Sequence, residues 1–427
     1  MKVLIVGGGG REHAIALKIK ENPEVTALYA APGNGGIAQI ATCLPFKATD
    51  VDGIVRWAAE NKVDFVIVAP DDPLCLGMVD ALAEQGIPAF GPRKNAAIIE
   101  GSKVFSKNLM KKYGIPTAAY ETFDDYDEAV KYLQTADMPI VVKADGLALG
   151  KGVLICPDRE SAVEAVASMM KEAKFGASGA RVVIEEFLTG PEVSVLAFTD
   201  GKTVKPMVSS MDHKRALDRD EGLNTGGMGT IAPNPCYTPE LAQRCMDEIF
   251  LPTIAAMNAE GRTFTGCLYF GLMMTPKGPK VIEYNCRFGD PETQVVLPLL
   301  KSDLLTIMRA TVDGTLADTP VEFASGAACC VVLASGGYPV SYKSGYPISG
   351  LDEAGKTATV FHAGTKLIDG QIVTAGGRVL GVTATADTLE AAIDKAYQAA
   401  DKITFTDMHM RRDIGQRALA SRKESHS

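Results

Sequence analysis

The sequence lacks several features that would each point to a particular class of protein. No stretch approaches the roughly 18 uninterrupted apolar residues that cross a bilayer, and the opening KVLIVGGGG lacks the organisation of a signal peptide. The nine cysteines include no CxxC pair and no neighbouring histidine to complete a zinc site. No basic run stands out among 43 basic and 52 acidic residues, and the net charge is −9. We therefore expect a cytoplasmic protein with reduced thiols that binds neither membrane nor nucleic acid.

The remaining composition is that of an ordinary globular protein with more than one domain. Hydrophobic residues make up 46% of the 427 positions and charged residues 22%. At roughly 150 residues per domain, this length predicts about three compact units. A repeating order of strand, glycine loop and helix up to about residue 93 predicts a doubly wound α/β domain. A small α/β subdomain follows, and the segment from about residue 326 predicts a small mixed sheet with one long helix.

The first glycine loop, GGGGREH, connects a predicted strand to a predicted helix. It does not match the dinucleotide fingerprint G-x-G-x-x-G, because Glu12 or His13 stands at the third glycine position. No acidic residue follows at the spacing that would hold a ribose, which argues against a nicotinamide cofactor. Open backbone amides at the positive end of the helix would suit a phosphate monoester or another anion. The alternative is a tight strand-to-helix turn without a ligand.

A second glycine-rich loop, GLALGKGV, follows a strand that ends near Lys143. Glycines that let backbone amides fold over a polyphosphate, with a lysine on the strand beneath, are typical of triphosphate binding. The spacing is not that of a Walker A loop, since Val153 stands where Ser or Thr would bind magnesium. Any ATP site here therefore belongs to a different fold.

The strand VVIEEFL carries Glu185 and Glu186 and precedes a turn at Gly190. Backbone groups of such a linker can bind an adenine edge while a carboxylate binds ribose hydroxyls. The alternative is one solvated glutamate and one that pairs across the sheet, which is the commoner arrangement on an amphipathic strand.

The segment KVIEYNCRFGDPETQ places Glu283 and Asn285 two residues apart on a strand, so both side chains point to one face. Two hard oxygen ligands suit a magnesium ion that bridges nucleotide phosphates. Arg287 follows on the same face and could bind a carboxylate or phosphate with two hydrogen bonds. The alternative, a salt bridge between Glu283 and Arg287, is weaker because the following loop is irregular and polar.

The polar run SSMDHKRALDRDEGLNTGGMG ends in three glycines within four residues and is predicted to be a substrate loop. His213 could act as a base. With Lys214 and Arg215 beside it, however, the triplet is better suited to supply positive charge for anions. A solvated surface loop is the alternative.

Read in order, these motifs closely resemble those of the phosphoribosylamine-glycine ligase family, the glycinamide ribonucleotide synthetases of the ATP-grasp superfamily. The resemblance rests on GGGGREHA, PGN at 32–34, EGSK at 100–103, VVKADGLALGKGV, IEEFL, DHKR, NTGGMG, EYNCRFGDPETQ, HAGT at 362–365 and RRDIG at 411–415. It implies a Rossmann-like preATP-grasp domain at 1–102, an ATP-grasp region at 103–325 with a lid subdomain at about 120–188, and a small mixed-sheet domain at 326–427.

The implied reaction joins glycine to 5-phosphoribosylamine through a glycyl phosphate and yields glycinamide ribonucleotide, ADP and phosphate, with Mg²⁺ or Mn²⁺ as the metal. By matching motif, the implied ATP-binding residues are Lys103, Lys143, Gly146, Gly150, Lys151, Gly152, Glu185, Glu186, Phe187, Leu188 and Glu192. The implied substrate-binding residues are Gly9, Gly10, Arg11, Asn34, Asp212, Lys214, Asn224 and Arg287. Lys143, Arg287 and Asp212 would be catalytic, and Glu283 and Asn285 would bind the metal.

Four positions depart from the family pattern. Asp71 stands for a usual glutamate, Leu223 for a proline and Gly8 for an asparagine. Tyr269 stands where many ATP-grasp enzymes place a further metal-binding glutamate, so looser metal coordination is expected.

Two other hypotheses are weighed against the ligase. The first hypothesis is another ATP-grasp ligase or carboxylase that uses a different acid or amine. A biotin-dependent carboxylase, for example, would need a carrier partner, and the motifs DHKR and NTGGMG do not support one. A nucleotide-binding regulator without turnover would be expected to have lost the phosphate-binding lysines or the two metal ligands. The chain nevertheless has all four residues, Lys103, Lys143, Glu283 and Asn285. We expect a monomer that acts on small molecules.

Overall fold

The computed structural model describes residues 1–148 and 151–424. The amino-terminal part is a parallel sheet with strand order β3-β2-β1-β4-β5. The strands are β1 Lys2–Gly7, β2 Ala27–Pro32, β3 Thr42–Cys43, β4 Phe65–Val68 and β5 Ala89–Phe90. The helices are α1 Gly10–Lys20, α2 Val51–Glu60, α3 Asp71–Cys75, α4 Met78–Glu84 and α5 Lys94–Gly101. Apolar side chains of β1 and β4 are buried, as both faces of a doubly wound sheet require, and the predicted α/β domain is confirmed.

A second, antiparallel sheet has the strand order β6-β9-β7-β8 and lies within the predicted lid. After α6 Lys103–Tyr113, its elements are β6 Tyr120–Phe123, α7 Tyr126–Leu133, β7 Ile140–Ala144, β8 Val153–Cys156, α8 Arg159–Met170 and β9 Val182–Glu186. The two helices cover one face and enclose a separate small core that includes Leu133, Val142 and Val166. Lys143 therefore lies on an inner strand, which fixes its backbone.

A third sheet is antiparallel, with the order β11-β10-β16-β17, and its core merges with that of the amino-terminal domain. Its strands are β10 Glu192–Thr199, β11 Val204–Pro206, β16 Gly266–Thr275 and β17 Gly278–Asn285. The associated helices are α9 Pro239–Cys245, α10 Leu251–Ala259, α11 Thr293–Val296 and α12 Leu304–Asp313. A separate hairpin is formed by β13 Arg215–Leu217 and β14 Glu221–Asn224.

The carboxy-terminal sheet has the order β12-β15-β18-β22-β19, with β23 also pairing with β18. Its strands are β12 Met211–Asp212, β15 Gly229–Ala232, β18 Ala327–Ser335, β19 Thr359–His362, β22 Arg378–Ala386 and β23 Met408–His409. The remaining elements are the hairpin β20 Thr365–Ile368 and β21 Gln371–Thr374 and the helices α13 Leu351–Gly355, α14 Leu389–Ala400 and α15 Gln416–Glu424.

This last sheet differs from the prediction in two ways. All of its described pairings are antiparallel, whereas a mixed sheet was predicted. Two of its strands, β12 and β15, come from the region before residue 326. Local patterns predict strands but not their distant partners, which explains both differences. Within the described residues, every helix is too short or too polar to cross a lipid bilayer.

Candidate active site

The predicted metal ligands lie at the end of β17. Glu283 and Asn285 pair with Gly271 and Tyr269 of β16, so their side chains share a face. A Cβ atom at Gly271 would lie 2.9 Å from Glu283 Cγ, so the glycine makes room for the glutamate. Asn285 Nδ2 donates a hydrogen bond to Glu100 Oε1 at 3.0 Å. This hydrogen bond turns the amide oxygen of Asn285 away from Glu100, so the oxygen is a potential metal ligand.

Glu100, which was not among the predicted site residues, joins Asn285 of the predicted metal pair to Arg287. Its carboxylate also accepts hydrogen bonds from the Cys286 amide at 2.7 Å and from Arg287 Nη2 at 2.9 Å. Burial raises the pKa of Glu100 even though the Arg287 guanidinium opposes the shift. The available signal was its place in EGSK, at the end of α5 beside Lys103. The predicted alternative, a salt bridge between Glu283 and Arg287, is wrong, because Arg287 pairs with Glu100 instead.

Lys143 is directed at the strand that carries the metal pair. Its Nζ donates to the carbonyl of Ile282 at 3.2 Å and lies 2.5 Å from Glu185 Oε1. Lys107 Nζ lies 2.8 Å from the other oxygen of Glu185. Burial alone would raise the pKa of Glu185, but the charges of Lys143 and Lys107 outweigh it and the pKa is lowered. Glu185, which was predicted to bind ATP, is the buried counter-ion of two lysines.

Lys103 lies close enough to Lys143 and Glu283 for their charges to act on it. Its Nζ donates to the carbonyl of Gly146 at 2.9 Å, at the start of the glycine-rich loop. Burial lowers the pKa of Lys103, and the attraction of Glu283 only partly offsets this. Gly152 closes the loop where a Cβ would lie 2.6 Å from Ala148 Cβ, and exposed Lys151 donates to the carbonyl of Pro339 at 3.4 Å. The predicted ATP contact Gly150 lies outside the described residues.

The linker after β9 is open to solvent. Glu186 points to the face opposite Glu185, pairs with Lys280 at 3.0 Å and keeps 44% of its side chain exposed. Phe187 and Glu192 are exposed and Leu188 is half-buried. Gly190 has a φ of +141°, and a Cβ there would collide with the carbonyl of Met274. The two adjacent glutamates are thus one buried and one exposed, and the linker backbone is accessible to a ligand.

The carboxylates of Asp212, Glu283 and Glu292 form an acidic cluster near Lys214. Lys214 Nζ is 3.2 Å from Asp212 Oδ2 but outside hydrogen-bond geometry, so this buried oxygen lacks a hydrogen-bond donor in the described chain. Burial and the charge of Asp212 raise the pKa of Glu292 to about 7. Tyr269 Oη donates to Glu292 Oε1 at 3.1 Å, so the residue in place of the usual glutamate supports this cluster. Glu292 was not predicted; it belongs to the GDPETQ motif, where only the strand residues were assigned roles.

Arg287 is enclosed by acidic groups. Its Nη2 lies 4.0 Å from Asp71 Oδ2 as well as beside Glu100, and its buried Nε has no hydrogen-bond partner in the described part of the chain. Burial acts to raise the pKa of Asp71, but the charges of Arg287 and Arg11 outweigh it and the pKa is lowered. The shorter carboxylate at position 71 therefore still reaches the arginine.

Two amides of the amino-terminal glycine loop that were predicted to be open are bonded within the protein. The Gly9 amide donates to Glu12 Oε2 at 2.8 Å, and the Arg11 amide donates to Asp290 Oδ2 at 3.3 Å. Two carboxylates of the protein therefore occupy the positive end of α1. The prediction of a free anion site at these two amides is wrong, because Glu12 of the same helix accepts from one amide and Asp290, from a loop that is distant in sequence, accepts from the other.

The side chains of Arg11 and Asn34, which were also predicted to contact substrate at this end, form hydrogen bonds within the protein. Arg11 Nη1 donates to the carbonyl of Phe288 at 3.1 Å, and a Cβ at Gly10 would lie 2.5 Å from Gln294 Nε2. Asn34 Nδ2 donates to the carbonyls of Gly8 at 2.9 Å and His362 at 2.7 Å. Asn34 therefore joins the glycine loop to the carboxy-terminal domain.

His213 is not a positive charge or a free base. Burial, followed by the charges of Arg411 and Arg417, lowers its pKa to about 4. Its Nδ1 lies 3.1 Å from the carbonyl of Gly229 and its Nε2 accepts from the Gly415 amide at 3.1 Å. Both nitrogens of the neutral ring are engaged, so the prediction of a cationic triplet is wrong at this residue. Asn224 is half-buried on β14, opposite Arg215, at the base of the same hairpin.

Family models for phosphoribosylglycinamide synthetase match three successive segments: the N domain at residues 1–100, the ATP-grasp (A) domain at 101–293 and the C domain at 328–417. The chain belongs to this family. Similar curated relatives are the phosphoribosylamine-glycine ligases of Halalkalibacterium halodurans, 49% identical over 100% of this chain and 99% of the relative, and of Caldanaerobacter subterraneus, 48% identical over 97% and 99%.

Solved structures agree with this assignment. The phosphoribosylamine-glycine ligase of Thermotoga maritima superposes with a TM-score of 0.86 at 35% identity, covering 97% of this chain and 100% of that one. A biotin carboxylase from Campylobacter jejuni in complex with β,γ-ATP superposes with a TM-score of 0.75 over 96% and 92% of the two chains. At 15% identity this second similarity shows the fold alone. The predicted family and three-part architecture are confirmed.

The oxygen donors of this family member suit a divalent metal bound together with nucleotide. Within the described residues no group of three or more His, Cys, Asp or Glu side chains could enclose an ion. Glu283 and the amide oxygen of Asn285 would supply two hard ligands on one face. Mg²⁺ commonly takes one or two protein oxygens and completes its shell with phosphate and water. The residues present fit that arrangement, and they do not distinguish Mg²⁺ from Mn²⁺.

A buried histidine at a contact between domains should make the stability of this family member depend on pH. The His362 amide donates to His13 Nδ1 at 2.8 Å where the amino- and carboxy-terminal domains meet. Burial, aided by His362, lowers the pKa of His13 to about 3 from 6.5. Between these pH values the unfolded chain binds a proton that the folded chain excludes, so the free energy of unfolding should fall as pH falls.

We expect His13→Asn, which keeps an acceptor but cannot titrate, to reduce the loss of stability between pH 6.5 and 4.5 by about 2 kcal/mol. Urea unfolding of wild type and variant at both pH values measures this difference. An identical pH dependence in the two proteins would contradict the assignment of a neutral, buried His13.

Proposed function

We propose that the chain joins glycine to 5-phosphoribosylamine at the expense of ATP and passes through a glycyl phosphate. The products would be glycinamide ribonucleotide, ADP and phosphate. Membership in the family supports the overall reaction. The observation that carries the site assignment is the contact between Lys143 Nζ and the carbonyl of Ile282, because it brings the predicted phosphate-binding lysine onto the strand of Glu283 and Asn285.

The chemistry requires activation of a carboxylate. A glycine carboxylate is a poor acyl donor, so one of its oxygens would first attack the γ-phosphorus of ATP and release ADP. The amine of phosphoribosylamine would then attack the acyl carbon, release phosphate and lose a proton. Such transfers depend on positioning and on stabilising negative charge rather than on a protein nucleophile. Lys103 and Lys143 supply cations for the phosphates, and a metal held by Glu283 and Asn285 would neutralise further phosphate charge.

The charges around β17 could select the amino acid. The guanidinium of Arg287, with its buried Nε lacking a partner in the described chain, would bind the glycine carboxylate. The buried carboxylates of Asp212 and Glu292 would bind the glycine ammonium group. The exposed linker around Leu188 would bind adenine, with Glu186 and Glu192 available for the ribose.

We further propose that the individual site residues act in the predicted roles, that the domains span 1–102, 103–325 and 326–427, and that the metal is Mg²⁺ or Mn²⁺. A cytoplasmic location and a monomeric state complete this part of the proposal. Covering of the phosphates by the lid sheet β6–β9, which would exclude water from the acyl phosphate, also belongs to the proposal.

The test is substrate-dependent ADP release. Purified protein is supplied with ATP, Mg²⁺, glycine and freshly prepared phosphoribosylamine, and each component is omitted in turn. We expect sustained ADP release only in the complete mixture, at least about 50-fold faster than without the amine, and glycinamide ribonucleotide in equal amount by mass spectrometry. ADP release that does not depend on the amine would contradict the proposed reaction.

A further inference from the structure

The hairpin β13–β14 ends in an unfavourable turn. Arg219 and Asp220 both have left-handed backbones, with φ of 60° and 56°, although neither is glycine. Each such residue costs roughly 1 kcal/mol or more unless its surroundings hold it. The base of this hairpin carries Lys214 and Asn224, two of the proposed substrate contacts, and Asp212 directly precedes it. The conformation of the hairpin therefore bears directly on the proposed site.

Residues 409–417 of the carboxy-terminal domain, here called the clasp, hold the hairpin along its length. Both backbone and side-chain groups of the clasp participate. The contacts are His409 Nε2 with the Ala216 carbonyl at 2.7 Å, the Arg412 amide with Asp218 Oδ1 at 2.7 Å, the Arg219 amide with Asp413 Oδ2 at 2.8 Å and Arg417 Nη1 with Asp220 Oδ2 at 2.8 Å. The strained turn is thus bonded to the clasp from both sides.

Arg411 is the centre of the clasp. Its side chain is 1% exposed. The guanidinium donates two hydrogen bonds to Asp413, at 2.8 and 2.9 Å, and Nη1 donates to Asp220 Oδ1 at 3.1 Å and to the carbonyl of Arg215 at 3.2 Å. A buried guanidinium that donates four hydrogen bonds in this way fixes several backbone segments relative to one another.

The clasp also reaches the residue next to Asp212. The Gly415 amide donates to His213 Nε2 at 3.1 Å, while the His213 amide donates to Asp212 Oδ1 at 2.7 Å. Movement of the clasp would therefore disturb the hairpin at its tip and at its base.

We propose that the clasp positions the substrate hairpin, and that Arg411 is the positioning residue through which the carboxy-terminal domain sets the affinity for glycine and phosphoribosylamine. This inference rests on the proposed function. A role confined to general stability would affect ATP and the other substrates alike, whereas positioning of this hairpin acts on the glycine and phosphoribosylamine side. The phosphate-binding lysines lie on other elements, so the KM for ATP provides the internal comparison.

The chain offers a matched pair of arginines for the test. Arg411 is buried, whereas the side chain of the adjacent Arg412 is 57% exposed and pairs with Asp401 on the surface. We expect Arg411→Met to raise the KM for glycine and for phosphoribosylamine at least tenfold and to leave the KM for ATP within twofold. Arg412→Met should change none of the three. Trypsin should cleave Arg411→Met after Arg215 and Arg219 at least tenfold faster than wild type, with the sites identified by mass spectrometry.

A second pair of variants, which changes fewer contacts, tests the proposal if Arg411→Met does not fold. Asp413→Asn weakens the bonds to Arg411 and Arg219, and Asp401→Asn, which alters only the surface pair with Arg412, is its control. The proposal is overturned if the KM for ATP rises as much as the KM values for glycine and phosphoribosylamine. It is also overturned if the control variants show the same changes as Arg411→Met and Asp413→Asn, or if cleavage accelerates while all KM values stay unchanged. A wild-type protein without glycine-dependent activity would instead overturn the proposed function, and the trypsin comparison, which needs no turnover, would still decide whether the clasp holds the hairpin.

Discussion

Glu283→Gln should lower kcat about 1,000-fold while changing the affinity for ATP less than tenfold. The substitution keeps the size of the side chain beside Gly271 but removes the charge that would face a metal. Charge stabilisation of a transferring phosphoryl group is worth several kcal/mol, and about 4 kcal/mol corresponds to this change in rate. Because the effect falls on the transition state, nucleotide binding should be largely preserved.

The measurement is ADP release at saturating substrates, together with titration calorimetry of ATP binding in the presence of Mg²⁺. Glu248→Gln, which alters an exposed pair with Arg244, is the control and should retain full activity. A kcat within a factor of three of wild type would remove Glu283 from the mechanism.

Glu100→Gln should reduce kcat/KM about 100-fold and the free energy of unfolding by about 3 kcal/mol. A glutamine can accept hydrogen bonds through only one of its two terminal atoms, so its NH₂ group would face a donor, either the Cys286 amide or the groups of Asn285 and Arg287. A buried donor without an acceptor costs about 1–3 kcal/mol, more when a charged partner is involved. A displacement of Asn285 and Arg287 by about 1 Å would account for the loss in kcat/KM.

Urea unfolding and steady-state kinetics test both parts of this result. Glu84→Gln, an exposed position on α4, is the control for removing one glutamate charge from the amino-terminal domain. Loss of stability without loss of activity would show that Glu100 supports the core and not the site.

The sequence was sufficient to predict the placement of side chains that follow the two-residue period of a strand. Alternation along β17 places Glu283 and Asn285 on one face, and alternation along β9 separates buried Glu185 from exposed Glu186. Both arrangements can be read from neighbouring residues. The doubly wound amino-terminal domain follows in the same way from its repeating order of strands and helices.

Prediction failed where the partner is distant in the chain. The Arg11 amide at the start of α1 donates to Asp290, and Asn285 and Arg287 share Glu100. No local pattern announces these contacts, since they depend on how the domains pack. His213 shows the same limit, because its neutral ring is fixed by burial and by the amide of Gly415.

The pairing of β15 with β18 has a consequence for synthesis. Ribosomes add roughly 5 to 20 residues per second, so β15 emerges roughly 5 to 20 s before β18, which begins at Ala327. During this interval one edge of β15 has no neighbour, and unpaired edges promote association between chains. The nascent polypeptide therefore passes through a period of vulnerability that ends only when β18 has emerged, which makes a truncation before Ala327 more hazardous than its distance from the chemistry suggests.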